Sequence, residues 1–390
     1  MPSSLDLHTS HIASQSNNDP TQVWAFIDEH IQRLNRVESA LHIIHTPLYE
    51  EARLHAHVYK EAPLRGSSFV ISEKDIDLAA IYPLIDKGAI PIAKLKKHCD
   101  PLYLASVINP WSRKHIAGGS EAAAVSCGAA VFSICADQCG ELILSANFCG
   151  TPALRPTKSI SPFGWHARSV ADLETIFYCA TGQRTFDEIA PPTVWYLTDY
   201  QPYQLSKRVT NMMYLALEHL QMISLCFPMD IPLFSQAFSI WASNWNIPSG
   251  YAPKHSTGLM AQMMSERIHL LYPSIGRNLQ IIRADIRAGL IQLLGDDGVF
   301  ICPAYPQCVP ESAESHTPLD FIFSAFFCDL DLPALHVPMG FCGKGIPQGV
   351  QIIAAPQQEK NLFAMGKLLE AEFKGWTRSQ PFFINMPFNP

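Results

Sequence analysis

The stretch from residue 109 to residue 158 constrains the fold most, because short polar and glycine-bearing motifs alternate there with apolar segments. The motifs follow in this order: Asn-Pro-Trp at 109–111, Ala-Gly-Gly-Ser at 117–120, Cys-Ala-Asp-Gln-Cys-Gly-Glu at 135–141, Phe-Cys-Gly at 148–150 and Leu-Arg-Pro-Thr at 154–157. An alanine-rich segment lies between the second and third motifs and predicts a helix that other elements approach closely. Strands and helices alternate along the chain, which favours a mixed or parallel sheet covered by helices on both faces.

Composition limits the class of protein. The chain has 390 residues, of which 48% are hydrophobic and 16% charged, enough apolar mass for one large α/β domain or two smaller ones. A net charge of −7 argues against nucleic acid as a partner. Residues 1–18 lack a basic or apolar region, so we interpret them as a disordered tail and not as a signal peptide. Eleven cysteines without a secretory signal indicate reduced thiols and a cytoplasmic protein.

Helix and strand signals place further elements around this stretch. Asp19 and the Pro-Thr-Gln that follows it predict the start of a helix with a cap. Other helices are expected at 79–86, after Ser120 as a helix cap, within a variable helical region at 205–294, and at 359–373. Strands are expected at 69–71, 298–303, 334–338 and 345–354, and 87–93 is expected to be a turn that leads into another strand. The apolar segments at 122–136 and 212–227 are too short or too amphipathic for a transmembrane segment.

The order of these motifs resembles the amidase signature family. Members of that family read NPW, GGSSGG, an alanine-rich helix, GTDxGGSIR, FCG and LKPT. The Leu-Pro-Ala-Leu-His-Val-Pro-Met-Gly block at 332–340 and the block at 345–354 also resemble the family's ending. The resemblance covers about 19–376 and implies one α/β domain with a mixed central β-sheet covered by helices on both faces. It also implies hydrolysis of amide bonds by a Ser-cisSer-Lys triad.

The nucleophile position of this triad carries an acid. A count back without gaps from the Phe-Cys-Gly motif places the family's nucleophilic serine at Glu141, with an oxyanion hole formed by the turn at Gln138, Cys139 and Gly140. A carboxylate there puts negative charge where an oxyanion would develop. Two like charges about 4 Å apart at an effective dielectric constant near 20 repel by ~4 kcal/mol, or about a thousandfold in rate. Burial can instead keep Glu141 neutral by raising its pKa.

The other two triad positions are also altered. Ser120 matches the bridging serine, but the family's next Ser-Gly-Gly is absent, so a plain helix cap is the favoured interpretation of Ser120. The lysine position falls on Ser72. Lys74 lies two residues later and can supply an ammonium only if the strand carries a bulge, so a surface lysine is an equal alternative. Ser145, at a position that is usually proline, is not expected to face the oxyanion hole.

Two functions follow from these residues. The first is an amidase-fold pseudoenzyme, a binding, regulatory or assembly protein that takes an amide-like small molecule or a protein partner. The second is an active amide hydrolase or acyl-transfer enzyme with a rearranged site, which uses Ser120 or Cys139 as nucleophile and Lys74 as base. Neither interpretation requires a cofactor or a metal, since the His and Cys spacings match no metal motif. Self-association into a homo-oligomer is compatible with both.

Overall fold

The fold was analysed in a computed structural model. It describes residues 4–19, 21–57, 61–72, 76, 78–96, 107–137, 139–183, 189–231, 234–237, 240–241, 276–311, 318–342 and 345–379. Within these ranges the helices, numbered α1 to α11, are Thr9–Asn18, Thr21–Leu41, Tyr49–Ala56, Leu78–Asp86, Ser120–Ser126, Glu141–Cys149, Val170–Thr181, Lys207–Ile223, Gly276–Leu294, Ile322–Asp329 and Glu359–Phe373. The strands, numbered β1 to β13, are Ile44–Pro47, Ser68–Ser72, Ile90–Leu95, Ile108–Asn109, Ser112–Ile116, Phe132–Ala136, Ala153–Arg155, Phe163–His166, Thr193–Leu197, Cys226–Met229, Gly298–Pro303, Ala334–Phe341 and Pro347–Ala354.

Eleven of the described strands form one mixed sheet, and β4 and β5 form a separate hairpin. The order in the large sheet is β1-β3-β2-β6-β8-β7-β12-β13-β11-β9-β10. Strands β3, β2 and β6 run parallel to one another, as do β11, β9 and β10. The central strands from β6 through β8, β7, β12 and β13 to β11 pair antiparallel. The predicted mixed sheet is therefore confirmed.

Helices cover both faces of this sheet, because neighbouring residues of a strand point to opposite sides. On β12, Leu335 and Val337 belong to the hydrophobic cluster that contains Phe177 of α7. Ala334, next to them, belongs to the cluster on the other face, which contains Phe323 of α10. This arrangement confirms the predicted α/β fold with helices on both faces, and it places α6 and α10 together on one face.

The N-terminal segment differs from the expectation of a disordered tail at 1–18. A 3₁₀ turn at Ser4–Asp6 and helix α1 are packed against the body of the protein. The backbone N–H and the hydroxyl of Thr9 donate to Oδ1 of Asp172, at 2.8 and 2.6 Å. Arg168 donates to the carbonyl oxygen of Ser4 at 2.8 Å. Because both partners lie on or next to α7, more than 150 residues away, local composition gives no sign of them.

The predicted helical region at 205–294 is only partly helical. Helix α8 begins at Lys207 and ends at Ile223, and β10 follows at Cys226–Met229, so the helix covers only the first part of the apolar segment at 212–227. Residues 242–275 of this region lie outside the described ranges. In the described part of the chain, none of the helices combines the length and the apolar character needed to cross a bilayer.

Candidate functional site

The turn between β6 and α6 carries the predicted nucleophile position. Strand β6 ends at Ala136, and α6 begins at Glu141 directly after Gly140. Gly140 has a φ of +87°, in the left-handed region that favours glycine. A Cβ at this residue would lie 2.5 Å from the carbonyl carbon of Ser324 on α10. The turn is therefore pressed against α10, and Glu141 opens helix α6.

The backbone N–H groups of this turn donate to side chains of the same turn. The N–H of Cys139 donates to Oε2 of Glu141 at 2.5 Å. The N–H of Gly140 donates to Oδ1 of Asp137 at 2.8 Å. These are two of the three residues that the resemblance assigns to an oxyanion hole, and Gln138, the third, lies outside the described residues. Two carboxyl groups of the chain thus occupy donors that an oxyanion would need.

Glu141 has an unusual protonation state. Burial, the neighbouring charge of Asp137 and a hydrogen bond between the two side chains together raise the pKa of its carboxyl to about 8. At pH 7 the Glu141 carboxyl is therefore mainly protonated and hydrogen-bonded to the side chain of Asp137. Glu141 is therefore a neutral acid whose Oε2 accepts the hydrogen bond of the Cys139 N–H.

Arg155 fixes the other side of Asp137 and was not predicted as a site residue. Its Nη1 lies 3.2 Å from Oδ2 of Asp137, and both side chains are nearly buried. Nε and Nη2 of Arg155 each donate to the carbonyl oxygen of Leu332 at 3.2 Å. The Leu-Arg-Pro-Thr motif at 154–157 is the sequence feature from which this ion pair could have been predicted, because a basic residue in a buried strand needs an acidic partner.

The hydroxyl of Ser120 donates its hydrogen bond to a residue outside this turn. Ser120 is fully buried, and its Oγ donates to the carbonyl oxygen of Lys96 at 3.0 Å. The interpretation as a helix cap is wrong, because Gly119 occupies the N-cap of α5 and no side chain caps that helix. The Gly119–Ser120 peptide is trans; the cis peptide found in the described part of the chain precedes Pro202.

The lysine position is buried. Ser72 is the last residue of β2 and is 3% exposed. A lysine ammonium is therefore absent at the position that the resemblance assigns to the base. Lys74, the alternative base, lies outside the described residues.

Ser145, on α6, belongs to a buried polar cluster between this helix and the sheet. Its Oγ donates to the carbonyl oxygen of Leu142 at 3.1 Å and lies 3.2 Å from Nε2 of His166. The other ring nitrogen, Nδ1, lies 2.9 Å from Oγ of Ser133. Burial lowers the pKa of His166 to about 4, so the ring is neutral at pH 7. Because Ser145 is 3% exposed, its hydroxyl is shielded from substrate, and these groups serve to satisfy one another within the core.

The N–H groups of Cys139 and Gly140 thus donate to carboxyl groups of their own turn. Cys139, whose side chain is partly exposed, is a thiol within the turn. Among the residues that the structure describes, no three His, Cys, Asp or Glu side chains are grouped to hold a metal ion.

Comparisons with known proteins agree with this fold. No family model matches the chain. A segment of 101 residues, 26% of this chain and 19% of the relative, is 34% identical to fatty-acid amide hydrolase 2 of Homo sapiens. Over 339 residues, 67% of this chain and 69% of the relative, the chain is 24% identical to a glutamyl-tRNA(Gln) amidotransferase subunit of Legionella pneumophila. The matched segments span about a fifth of the length of the fatty-acid amide hydrolases.

Two solved structures, of a hydrolase and of an amidase, have a fold similar to that of this chain. The structure of 6-aminohexanoate cyclic dimer hydrolase complexed with substrate matches with a TM-score of 0.80 at 17% sequence identity. The match covers 98% of this chain and 100% of that chain. A crystal structure of an amidase matches with a TM-score of 0.75 over 94% of this chain, at 18% identity.

We expect Glu141→Gln to flatten the dependence of stability on pH. Between pH 5 and pH 8 the unfolded chain ionises this carboxyl, whereas the folded chain keeps the proton. The folded state then binds more protons, so the free energy of unfolding falls as the pH rises. One pKa unit corresponds to about 1.4 kcal/mol, and partial contact with water reduces the total. Glutamine, which mimics the protonated acid, should therefore stabilise the protein by about 2 kcal/mol more at pH 8 than at pH 5.

Urea unfolding at a series of pH values measures this difference. Burial also raises the pKa of Glu370, to about 7, but that group is present in both proteins and cancels in the comparison. Glu50→Gln, which changes a carboxyl that is 83% exposed, is the control and should keep the wild-type slope. Parallel pH profiles for the wild-type protein and Glu141→Gln would contradict a buried, protonated Glu141.

Proposed function

Because this chain belongs to the amidase signature family, we propose that it uses the amidase fold without serine amidase chemistry. In this proposal it is a binding, regulatory or assembly protein whose partner is an amide-like small molecule or another protein. The names of the relatives fit the first kind of partner, since they describe an amide hydrolase and a component of an amidotransferase.

The observation that carries this proposal is the closed turn at Glu141. An acyl-transfer enzyme needs a nucleophile and free N–H donors about 3 Å from the developing oxyanion. Here Glu141 and Asp137 accept the hydrogen bonds of the Cys139 and Gly140 N–H groups. A substrate carbonyl would have to displace a carboxyl group from each donor. The neutral carboxylic acid of Glu141 is also a poor nucleophile.

Two further features support the loss of chemistry. Ser72 supplies a hydroxyl where the family's base would stand. The hydroxyl of Ser120 is directed to a main-chain carbonyl oxygen, and helix α5 follows at once because the glycine loop is short. Restoration of a serine at position 141 therefore leaves the bridging group and the base unrestored.

The test is a paired assay of the wild-type protein and Glu141→Ser. Both proteins are exposed to a fluorophosphonate, which labels activated serines, and intact mass is measured. Hydrolysis of a panel of p-nitroanilides is followed in parallel. We expect no stoichiometric adduct on either protein and hydrolysis rates indistinguishable from buffer, because one substitution restores only one of three altered positions.

Two outcomes would overturn the proposal. The first is hydrolysis by the wild-type protein that is abolished by Ser120→Ala or Cys139→Ala, which would establish a rearranged active site. The second is measurable hydrolysis by Glu141→Ser, which would show that the bridging group and base are in place. Urea-unfolded protein is the control for nonspecific labelling.

A further inference from the structure

A cavity of 510 Å³ lies beside Asp137, at the end of the sheet where β6 reaches its last residue. It is bounded by the ends of β6, β7 and β8 and by the C-terminal end of α10. Its lining combines charged and apolar side chains in similar measure. The residues are Ala136, Asp137, Arg155, Pro156, Lys158, Ser161, Pro162, Phe163, Gly164, Arg283, Cys328, Asp329, Asp331 and Leu332.

The charges of this lining are balanced pair by pair. The distances between charged atoms are 3.2 Å for Arg155–Asp137, 2.8 Å for Arg283–Asp329 and 3.7 Å for Lys158–Asp331, and Asp331 also lies 3.8 Å from Nη2 of Arg283. With three positive and three negative groups, the lining has no net charge. A ligand with a single charge would gain from one member of each pair and be repelled by the other. A ligand with both charges can interact favourably with both members.

The ion pairs differ in the exposure of their side chains and in their hydrogen bonds to the backbone. Arg155 and Asp137 are 9% and 3% exposed, and they are tied to the backbone. Lys158 and Asp331 are 76% and 42% exposed, and they form the mouth of the cavity. An exposed ion pair contributes little stability, because water screens it and two side chains must be ordered. The pair at the mouth can therefore separate to receive a ligand at little cost.

We propose that this cavity binds a small zwitterion with an apolar side chain, of the α-amino acid class. The carboxylate of the ligand contacts Lys158, and its ammonium contacts Asp331. The apolar side chain packs against Phe163 and Leu332. Because the ammonium and carboxylate of this ligand are attached to one carbon, they can lie between Lys158 and Asp331 once this pair separates. The assignment rests on the proposed function as a binding protein.

The test measures binding by isothermal titration calorimetry and by the shift in melting temperature. The probes are L-leucine, L-methionine and L-phenylalanine. Two analogues of leucine, 4-methylpentanoate and 3-methylbutylamine, each lack one of its charges. We expect at least one of the amino acids to bind and to raise the melting temperature. The single-charge analogue of a bound leucine should bind at least tenfold more weakly.

Two substitutions locate the site at the mouth of the cavity. Lys158→Gln and Asp331→Asn should each weaken amino acid binding by tenfold or more. Asp331 has a φ of +50°, a conformation that asparagine also adopts readily, so the second substitution preserves the backbone. Lys87→Gln and Asp86→Asn are matched controls, because they change another exposed ion pair, 3.6 Å apart, outside the cavity. The controls should leave affinity unchanged.

Binding by none of the three amino acids would overturn the assignment, as would binding of leucine with an affinity no greater than that of 4-methylpentanoate. Unchanged affinity in both mouth variants would also overturn it. These failures are distinct from failure of the proposed function, which is judged by hydrolysis and labelling alone. Absence of both binding and hydrolysis would reject the zwitterion site and leave the non-catalytic interpretation standing.

Discussion

We expect Gly140→Ala to lower the free energy of unfolding by about 3 kcal/mol or more, measured by urea denaturation. Gly140 combines a left-handed φ of +87° with close contact to α10. An alanine there carries about 1–2 kcal/mol of backbone strain. Its Cβ would also lie 2.5 Å from the carbonyl carbon and 2.6 Å from the carbonyl oxygen of Ser324. Main-chain atoms cannot rotate away as a flexible side chain can, so α6 and α10 must separate, at a cost typical of overpacking.

Gly182→Ala separates these two contributions. Gly182 ends α7 with a φ of +70°, and no atom lies within 4 Å of the Cβ that alanine would add. This variant should show the backbone strain alone, about 1 kcal/mol. Equal destabilisation by the two substitutions would mean that the turn at Glu141 is not pressed against α10. In that case the closed turn would also be free to open.

Arg168→Met should destabilise the protein by about 3–5 kcal/mol and release the N-terminal segment. Arg168 is 1% exposed and remains protonated at neutral pH, although burial lowers its pKa to about 10. It donates to four main-chain carbonyl oxygens, at distances between 2.6 and 3.3 Å. These belong to Ser4, Leu7, Gly128 and Ala130. Methionine fills much of the same volume but supplies no donor, which leaves these acceptors without their partner.

Chemical denaturation measures the loss, and limited proteolysis tests whether residues 4–18 become accessible. Arg53→Met is the matched control. Arg53 forms ion pairs with Asp28 and Glu50 at 3.0 and 2.9 Å, but it is 34% exposed. Its loss should cost less than about 1 kcal/mol. If Arg168→Met unfolded with wild-type stability and an intact N-terminus, the buried network would not hold that segment.

Much of the fold could be predicted because its signals are local. The start of α2 is an example: Oδ1 of Asp19 accepts the N–H of Thr21 at 3.0 Å, and Gln22 reaches back to Oδ2 at 3.0 Å. Strands β12 and β13 and helix α11 likewise lie where apolar runs and glycine bends predicted them. In the site, Glu141 opens helix α6, and its assignment to the nucleophile position of the family stays a prediction.

The rest depends on contacts between distant residues. The sequence offers no way to foresee that Asp172 and Arg168 would order the N-terminal segment, since each is about 160 positions from its partner there. The direction of the Ser120 hydroxyl depends on its hydrogen bond to the carbonyl oxygen of Lys96, which directly follows β3. The pKa of Glu141 depends on burial and on the placement of Asp137, so the choice between a charged and a neutral acid required the fold.

The order of strands in the sheet also bears on how this chain is made. Strand β7 finds its partner β12 only after a long interval, and the hydrogen bonds from Arg155 to Leu332 join residues 177 positions apart. At a synthesis rate of about 5–20 residues per second, β7 waits roughly 10–40 s for β12 to leave the ribosome. During that interval its unpaired edge is a template on which other chains can add a strand. The edge of β7 therefore stays open in the nascent chain until the second half of the protein has been translated.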